Sequence, residues 1–579
     1  MGLVPNACRG IAALARGLGP EMRVCLAAAG AVELFSNWLG QLSTDQVTIA
    51  ACNVLQALCL DINSARALVG GAGGEGNGLG AVLGILTDPS KTACFNAAAG
   101  VLVNIAAHQP EDAGLAVAVV QGMPGGVATD NFSSIFTAME LLPTSEFHVQ
   151  ICKMLFFLTA DEGNRSLAVQ PRYMSTIDRL FLEHVHSHEV EAVSHIVAVW
   201  AQICTGSCSF NVAKHLARHS LGSISAAFKE FPDELKVQRV LICVVASMGV
   251  DSAIKLEVCH QGMLDRVVES MGRFQNSAEL QEQACRAINA ISKGEEQIKE
   301  YLADRQGDLK IIESIIEAMD KFTADEGVVL AGASAVWSVA FKNVRMKNRA
   351  GELGAFPTIM DVIRTHSRVA RILPHAFVAI GNLSANHAPN QAICGQEGVV
   401  ELCLELLPMH RRDATIIYTI LSCLSAVLAG QSDNVAKFSK LKGLVAVTRI
   451  ADKITDPQVQ RCARGVEQAI AQDRQAKASR QKERCVPQTT PQPSASIELP
   501  RTNDSILART PMTAGSWLLN MCLKYCQRLN VCRNVSGGGR CRSSAEARRV
   551  LWSSGEPLPV RIDSLALDRH CNLGVNSRY

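Results

Sequence analysis

Four histidines in this chain lie close enough together to suggest metal chemistry. His184, His186, His188 and His195 fall within "LEHVHSHEVEAVSHIV". Imidazole nitrogens are common zinc ligands, but side chains at positions i and i+2 of a helix lie on different faces, so they cannot bind the same metal ion. A metal site would therefore need a loop here, and a polar turn between two helices is the simpler interpretation. We predict no metal site.

Two cysteine groups raise the same question. The spacing of Cys522, Cys526, Cys532 and Cys541 lacks the paired C-x-x-C knuckles of zinc sites. "CTGSC" (204–208) brings two thiols together that could respond to oxidants, although two ordinary reduced cysteines explain them equally well. The 21 cysteines are scattered through apolar stretches and no signal peptide precedes them. This favours reduced thiols and a cytoplasmic location, with a nuclear one as the alternative.

Catalytic and membrane signals are lacking in the sequence. We find no GxGxxG, Walker, GxSxG or HExxH motif in a credible context. The N-terminus begins Met-Gly, but Asn6 stands where a myristoylation signal needs Ser or Thr. Apolar runs such as 241–250 are about half the roughly 20 residues that span a bilayer. We therefore expect a non-enzymatic protein with no cofactor, no small-molecule substrate and no transmembrane helix.

The elements that position these residues repeat along the chain. In 579 residues, 48% are hydrophobic and only 5% aromatic, which favours close-packed helices over β-sandwiches. One apolar position, where a helical pattern runs out, recurs about every 45 residues, a period typical of helical repeat proteins. These anchor residues are Leu14, Leu58, Ile105, Leu158, Ile203, Met248, Ile291, Val339, Leu383, Val427 and Ile470.

Two landmarks follow the anchors in phase, each in six of the repeats. An asparagine comes first, and because asparagine is a strong N-cap residue we predict that it opens a short first helix. A glycine follows and is predicted to bend the chain into a second helix. A third helix then ends at the next anchor. The predicted caps are Asn63, Asn164, Asn211, Asn348, Asn390 and Asn434, and the predicted bends are Gly30, Gly262, Gly307, Gly354, Gly398 and Gly443.

These features together resemble the armadillo-repeat family. The resemblance rests on the phased glycine starts, on third-helix openings such as Val149-Gln150, Val237-Gln238 and Val459-Gln460, and on ends such as Asn382-Leu383-Ser384. It implies an all-α, right-handed α-solenoid of about ten to eleven three-helix repeats over residues 1–473, the first repeat being incomplete. HEAT repeats, whose period overlaps, are the nearest alternative. The glycine-rich stretch 70–80 is expected to form a mobile loop.

The segment 474–579 has a different composition. The repeat ends before it, Pro and Ser accumulate, and Lys and Arg clearly outnumber Asp and Glu. We expect a basic, largely disordered tail. Its charge allows weak binding of nucleic acid or anionic lipid at most.

The armadillo resemblance also implies a binding groove lined by third helices. Amide side chains there bond the backbone of an extended peptide, because an amide offers both a donor and an acceptor. The matching positions are Asn104 and Asn382, with Asn289 one residue out of register and Gln202 as a substitute. Capping of their own helices is the alternative role for these amides.

Nuclear-import receptors of this family carry a tryptophan four residues before such an asparagine, to stack on basic cargo. Gly100 and Val378 occupy those positions here. Trp200 and Trp337 lie elsewhere in their repeats and are expected in the core or at its edge. A nuclear transport carrier is therefore the less favoured alternative.

A basic loop, "FKNVRMKNR" (341–349), is expected to face a partner through Lys342, Arg345 and Lys347, unless it is only a solvated loop. The preferred function is a monomeric scaffold or adaptor that binds partner proteins, or extended peptides, along the groove. A regulatory armadillo segment of a larger signalling protein is a close variant.

Overall fold

The computed structural model describes residues 3–41, 44–70, 78–121, 131–294, 296–304 and 310–484. Throughout these residues the regular secondary structure is helical and contains no strand, as the composition predicts. They form two compact units, one ending at Ser270 and the other starting at Met271. The predicted Gly307 bend, most of the glycine-rich stretch 70–80 and nearly all of the predicted tail lie outside the described residues.

The first unit contains α1 to α17 and most of α18. Two short 3-10 turns, Pro89–Cys94 and Gly206–Cys208, precede α7 and α14. The helices in order are α1 (Leu3–Gly17), α2 (Pro20–Ala28), α3 (Ala31–Gln41), α4 (Asp45–Leu58), α5 (Ile62–Gly70), α6 (Gly78–Thr87), α7 (Phe95–Ala106), α8 (Ala113–Gln121), α9 (Asn131–Leu141), α10 (Ser145–Leu158), α11 (Glu162–Ala168), α12 (Pro171–His186), α13 (Val190–Ile203), α14 (Ser209–His219), α15 (Leu221–Glu230), α16 (Leu235–Ser247), α17 (Ser252–His260) and α18 (Met263–Arg273).

The second unit contains the end of α18 and α19 to α31. Its last helix continues past the predicted array boundary at 473, so 474–484 are helical rather than part of a disordered tail. The helices are α19 (Ala278–Ser292), α20 (Glu296–Asp304), α21 (Ile311–Lys321), α22 (Glu326–Ala340), α23 (Val344–Glu352), α24 (Ala355–Thr365), α25 (Leu373–Ser384), α26 (Ala388–Glu397), α27 (Val399–Met409), α28 (Ala414–Leu428), α29 (Ser432–Lys440), α30 (Gly443–Ala451) and α31 (Pro457–Arg484).

Among the described residues, no single helix is long and apolar enough to cross a membrane. The pair Val190–Ile203 and Gly206–His219 meets the length and composition requirement only when joined, and it is bent by 93° at the break.

Within each unit the helices recur in the predicted order: a first helix, a second, and a third that packs on the third helix of the neighbouring repeat. In α19 the predicted apolar side, from Leu280 through Ala284 to Ile291, is fully buried. Third helices form continuous contacts, α1–α4–α7–α10–α13–α16 in the first unit and α19–α22–α25–α28–α31 in the second.

The recurring apolar anchor marks the core. Every anchor from Leu58 to Val427 is fully buried, and Ile470 is 4% exposed. Leu14 differs, since it is 47% exposed on α1. Burying such a side chain stabilises the fold by about 1.5–3 kcal/mol. The period of the anchors in the sequence therefore corresponds to the spacing at which the repeats pack.

Positive φ angles between first and second helices confirm four glycine bends, at Gly30, Gly262, Gly354 and Gly398. The fifth described one is wrong, because Gly443 is helical and the preceding Lys442 takes the positive φ, 55°. Gly443 has another role: a Cβ there would collide with the Phe438 ring.

The predicted asparagine caps are also wrong. The residue that caps a first helix lies earlier and is Asp161, Asp251, Asn343 or His387, whose side chain accepts a backbone N–H of the first turn. The six asparagines lie inside the first helices. Asn63, Asn211 and Asn348 are exposed there, whereas Asn164, Asn390 and Asn434 are buried.

Candidate protein-binding surface on the third helices

Three adjoining third helices of the second unit, α19, α22 and α25, are largely buried except along one stripe. On α22, Leu330 and Trp337 are partly exposed while most of the helix is buried. Residues seven apart share a helix face, so these two side chains lie along one line. We call the partly exposed side chains of this stripe on three adjoining helices the third-helix surface: Glu282, Arg286 and Asn289 on α19, Leu330 and Trp337 on α22, and His375 on α25.

Hydrogen bonds fix this surface across neighbouring helices. Ser334 Oγ of α22 lies 2.8 Å from His375 Nδ1 of α25. Ser338 donates its hydroxyl hydrogen to Asn289 Oδ1 of α19. Arg286 donates through Nε and Nη2 to Glu282 Oε1, at 3.0 and 2.7 Å. The surface is therefore held in place before any ligand arrives, which lowers the entropy cost of binding.

A glycine allows two of these helices to approach. A Cβ on Gly327, in the first turn of α22, would lie 2.6 Å from Glu282 Oε2 on α19. Any larger residue would push the Glu282–Arg286 pair out of position. The third-helix surface of the second unit therefore contains both the Glu282–Arg286 ion pair and the indole of Trp337.

The four predicted groove amides do not share one environment. Asn104 is partly buried and its Nδ2 donates to the backbone carbonyl of Gln56 on α4, at 2.6 Å. Gln202 is partly exposed on α13, and Asn289 belongs to the third-helix surface. Asn104 and Gln202 belong to the first unit, Asn289 and Asn382 to the second.

Asn382 was predicted to hold a peptide and is instead enclosed. Its side chain is 1% exposed, and its Nδ2 is a buried donor without a hydrogen-bond partner. Burial of this residue follows from its position, because α25 lies between α22 and α28. A ligand cannot reach the Asn382 amide without moving these helices.

The predicted basic loop 341–349 is mostly helical, because α23 begins at Val344. Lys342 and Arg345 are exposed, and Lys342 has a φ of 57°. Lys347 does not face a partner: its Nζ is buried and donates to the Ala385 carbonyl at 2.6 Å. Burial lowers the pKa of Lys347 to about 8.

Sequence reasoning missed a polar ladder that joins successive repeats. Asn390 Nδ2 donates to Lys347 O in the preceding first helix, at 2.9 Å, and to the anchor carbonyl of Leu383, at 3.0 Å. Asn434 repeats the arrangement with Gln391 O and Val427 O, at 2.8 and 3.0 Å. Asn164 does so in the first unit, with Ala116 O and Leu158 O. We call these three residues the asparagine ladder.

A signal for the ladder was present in the sequence. Gly351 and Gly395 lie in the preceding first helices, and a Cβ on either would collide with Asn390 or Asn434 respectively. A glycine in one first helix followed by a phased asparagine in the next therefore indicates the ladder.

The third helices of the first unit carry a different stripe. Lys153 Nζ on α10 lies 3.8 Å from Glu191 Oε1 on α13. His195, also on α13, is buried, and its pKa is lowered to about 4, first by burial and then by the charge of Lys153, with a smaller effect from Lys236. His195 is thus a neutral side chain among cations at pH 7.

The histidines of α12 and its surroundings do not share one environment. His184 pairs with His148 of α10, with 2.8 Å between His148 Nδ1 and His184 Nε2. His186 and His188 are exposed. No group of three potential ligands suited to a metal ion occurs among the described residues. In "CTGSC", Cys204 is buried and Cys208 partly exposed, and the four C-terminal cysteines lie outside the described range.

The two tryptophans have different environments. Trp200 is fully buried and its ring centroid lies 4.5 Å from that of Phe181, as expected of a core residue. Trp337, expected in the core or at its edge, lies at the edge and is partly exposed on the third-helix surface.

Comparison with known proteins gives little. No protein-family model matches the chain, and no curated protein does. A solved structure from work on a conserved phosphorylation switch controlling the interaction between cadherin and beta-catenin is similar at 13% identity and a TM-score of 0.40, covering 81% of this chain and 96% of that one. An engineered protein is similar at 15% identity and a TM-score of 0.31, covering 51% and 97%. Similarity this low carries no argument, so the fold description rests on the helices above.

Proposed function

We propose that this chain is an armadillo-type repeat protein that binds partner proteins without catalysing a reaction. The observation that carries the proposal is the partly exposed Trp337 on the same surface as the Glu282–Arg286 pair, on helices that are otherwise largely buried. A large aromatic side chain that stays accessible on a preformed surface is typical of binding hot spots.

The chemistry of the surface favours an extended peptide. Trp337 and Leu330 offer apolar area, and Arg286 and Glu282 offer charges of both signs. Asn289 uses its Oδ1 for Ser338, and its Nδ2 makes no hydrogen bond to another described residue, so it can donate to a peptide carbonyl. Such a surface selects a segment with an apolar residue flanked by polar ones.

A random peptide library selected on the full chain tests this proposal. Selected peptides, labelled and measured by fluorescence anisotropy, should lose at least tenfold in affinity on Trp337→Ala, since such anchors contribute about 2 kcal/mol or more. The matched control is Phe210→Ala, which removes an aromatic side chain 46% exposed on α14. Equal binding by wild type and Trp337→Ala overturns the role of this surface.

A charge exchange gives a second test. Arg286→Glu with Glu282→Arg restores the ion pair in reverse and keeps the fold. Selected peptides that contain a charged residue should bind this double variant differently, and unchanged affinity for all of them would contradict contact with the pair. The cytoplasmic location, the monomeric state and membership of a larger signalling protein stay predictions.

A further inference from the structure

A row of loops lies at one edge of the second unit, where second helices lead into third helices. His366, at the end of α24, donates from Nε2 to the Thr323 carbonyl in the preceding loop, at 2.7 Å. His410, at the end of α27, donates to the Ser367 carbonyl in the same way, at 2.8 Å. These two hydrogen bonds hold three successive loops side by side.

Three arginines project from the last two of these loops: Arg368 from one, and Arg411 and Arg412 from the other. All three are exposed, and none forms an ion pair with another described residue. Their neighbours are paired, since Arg364 bonds Asp361 at 2.9 Å and Arg371 bonds Glu326. We call Arg368, Arg411 and Arg412 the loop arginine surface.

The acidic residue beside them is already engaged. Asp413 caps α28, and its Oδ1 accepts the backbone N–H groups of Thr415 and Ile416 at 3.0 and 3.1 Å. Its charge is therefore directed toward the helix N-terminus. The loops thus concentrate positive charge that the chain leaves available to a partner.

The residue types decide which partner fits. Guanidinium groups form two parallel hydrogen bonds with one carboxylate, which lysine cannot do. Met409 adjoins the arginines and is 51% exposed, which adds a flexible apolar contact. Segments 364–372 and 408–413 contain no Phe, Tyr or Trp on which a nucleic-acid base could stack. A single exposed methionine is too little apolar area to anchor the loops in a membrane.

We infer that the loop arginine surface binds an acidic segment of a partner protein, whose apolar residue contacts Met409. This is a second binding surface, formed by loops rather than by the third helices. It does not depend on Trp337, so either surface can be lost without the other.

Anisotropy with a labelled peptide of repeated Glu-Glu-Leu tests the inference on the full chain. The triple variant Arg368→Glu, Arg411→Glu, Arg412→Glu should bind at least tenfold more weakly. A control with the same change of charge, Lys342→Glu, Lys440→Glu, Lys442→Glu, alters exposed cations of the same unit that lie outside the loops between second and third helices. It should change affinity less than twofold. A third variant with lysine at all three arginine positions keeps the charge and should lose part of the affinity, because the paired hydrogen bonds are gone.

Two results would overturn the inference. Equal losses in the two charge-reversal variants would mean that net charge alone binds the peptide. Stronger binding of the wild type to a DNA duplex, or to phosphatidylserine vesicles, than to the peptide would assign the surface to another class of partner. Circular dichroism melts of each variant verify that the fold is retained.

Discussion

The two units use similar backbones but differ in how regularly polar side chains join their repeats. In the second unit Asn390 and Asn434 make the same pair of hydrogen bonds one repeat apart, although Asn348 in the repeat before them is exposed. In the first unit Asn164 makes them, whereas Asn63 and Asn211, at similar distances from their anchors, are exposed. The first unit therefore holds some of its first helices by other contacts.

The ends of the second helices are held by polar contacts that differ between repeats in both units, and Gln460 of the second unit caps α30 as Gln238 of the first caps α15. In the second unit His366 and His410 use one pattern in two successive repeats. In the first unit His148 caps the end of α9 through Met139 O, and Gln238 caps that of α15 through Phe228 O and Phe231 O. The regularly spaced apolar residues determine how the helices pack. The polar contacts that satisfy the remaining buried backbone groups vary from repeat to repeat.

Removal of a ladder asparagine should give the largest effect on stability. Asn390→Ala removes two hydrogen bonds to buried carbonyls, those of Lys347 and Leu383, and leaves a cavity. We therefore expect the free energy of unfolding to fall by about 2–4 kcal/mol. Asn164→Ala should cost a similar amount in the first unit. Urea unfolding followed by circular dichroism measures both, and hydrogen exchange localises the loss to one unit.

Asn211→Ala is the matched control, because Asn211 is exposed on a first helix, and it should change stability by less than about 0.5 kcal/mol. A loss as large for Asn211→Ala as for Asn164→Ala would show that the ladder contacts are not what stabilises the first helices.

Mild acid should destabilise the first unit more than the second, by an amount between those of the other predicted effects. The pKa of His195 is about 4 in the folded chain, below the ordinary 6.5 of an unfolded one. The stability that depends on neutral His195 is complete above pH 6.5 and is lost as the pH falls toward 4. Between pH 6.5 and 5 this loss amounts to about 2 kcal/mol. Burial lowers the pKa values of His148 and His184 as well, which adds to the loss in the first unit.

Hydrogen exchange at pH 7 and pH 5, corrected for intrinsic rates, measures this difference. Protection of α13 should fall more than that of α22. His195→Gln should reduce the pH dependence of α13, and His186→Gln, at an exposed position, should leave it unchanged. Equal acid sensitivity of α13 and α22 would contradict the role of the buried histidines.

The sequence allowed the helices, their order and their buried sides to be predicted, because apolar anchors recur with each repeat and are fully buried from Leu58 to Val427. Third-helix openings at Gln238 and Gln460 were recognised as a pattern, and the structure gives their role as caps of the preceding second helices. Gln150 fitted the same pattern, yet its neighbour His148 performs that role.

The site was less predictable than the fold. Asn382 matched a family position, but its burial depends on how closely the neighbouring third helices approach, which one repeat alone does not specify. Lys347 carried a charge that suggested exposure, whereas its ammonium group bonds a carbonyl in the next repeat. Such contacts join residues far apart in sequence, so local patterns do not reveal them.

Substitutions at the bends between first and second helices should have the smallest effects on stability, and their sign should depend on whether a glycine is removed or introduced. Gly398 has a φ of 85° and Lys442 one of 55° at corresponding positions of adjacent repeats in the second unit. A residue with a Cβ costs about 1 kcal/mol in this left-handed backbone conformation. Gly398→Ala should therefore lower the free energy of unfolding by about that amount, and Lys442→Gly should raise it by a similar amount. Gly222→Ala, inside α15 of the first unit where a Cβ meets nothing within 4 Å, should raise it by about 0.5–1 kcal/mol. A destabilising effect of Lys442→Gly, together with a stabilising effect of Gly222→Ala, would contradict this prediction. It would show that the greater freedom of glycine in the unfolded chain, rather than strain in the folded backbone, determines the stability at these bends.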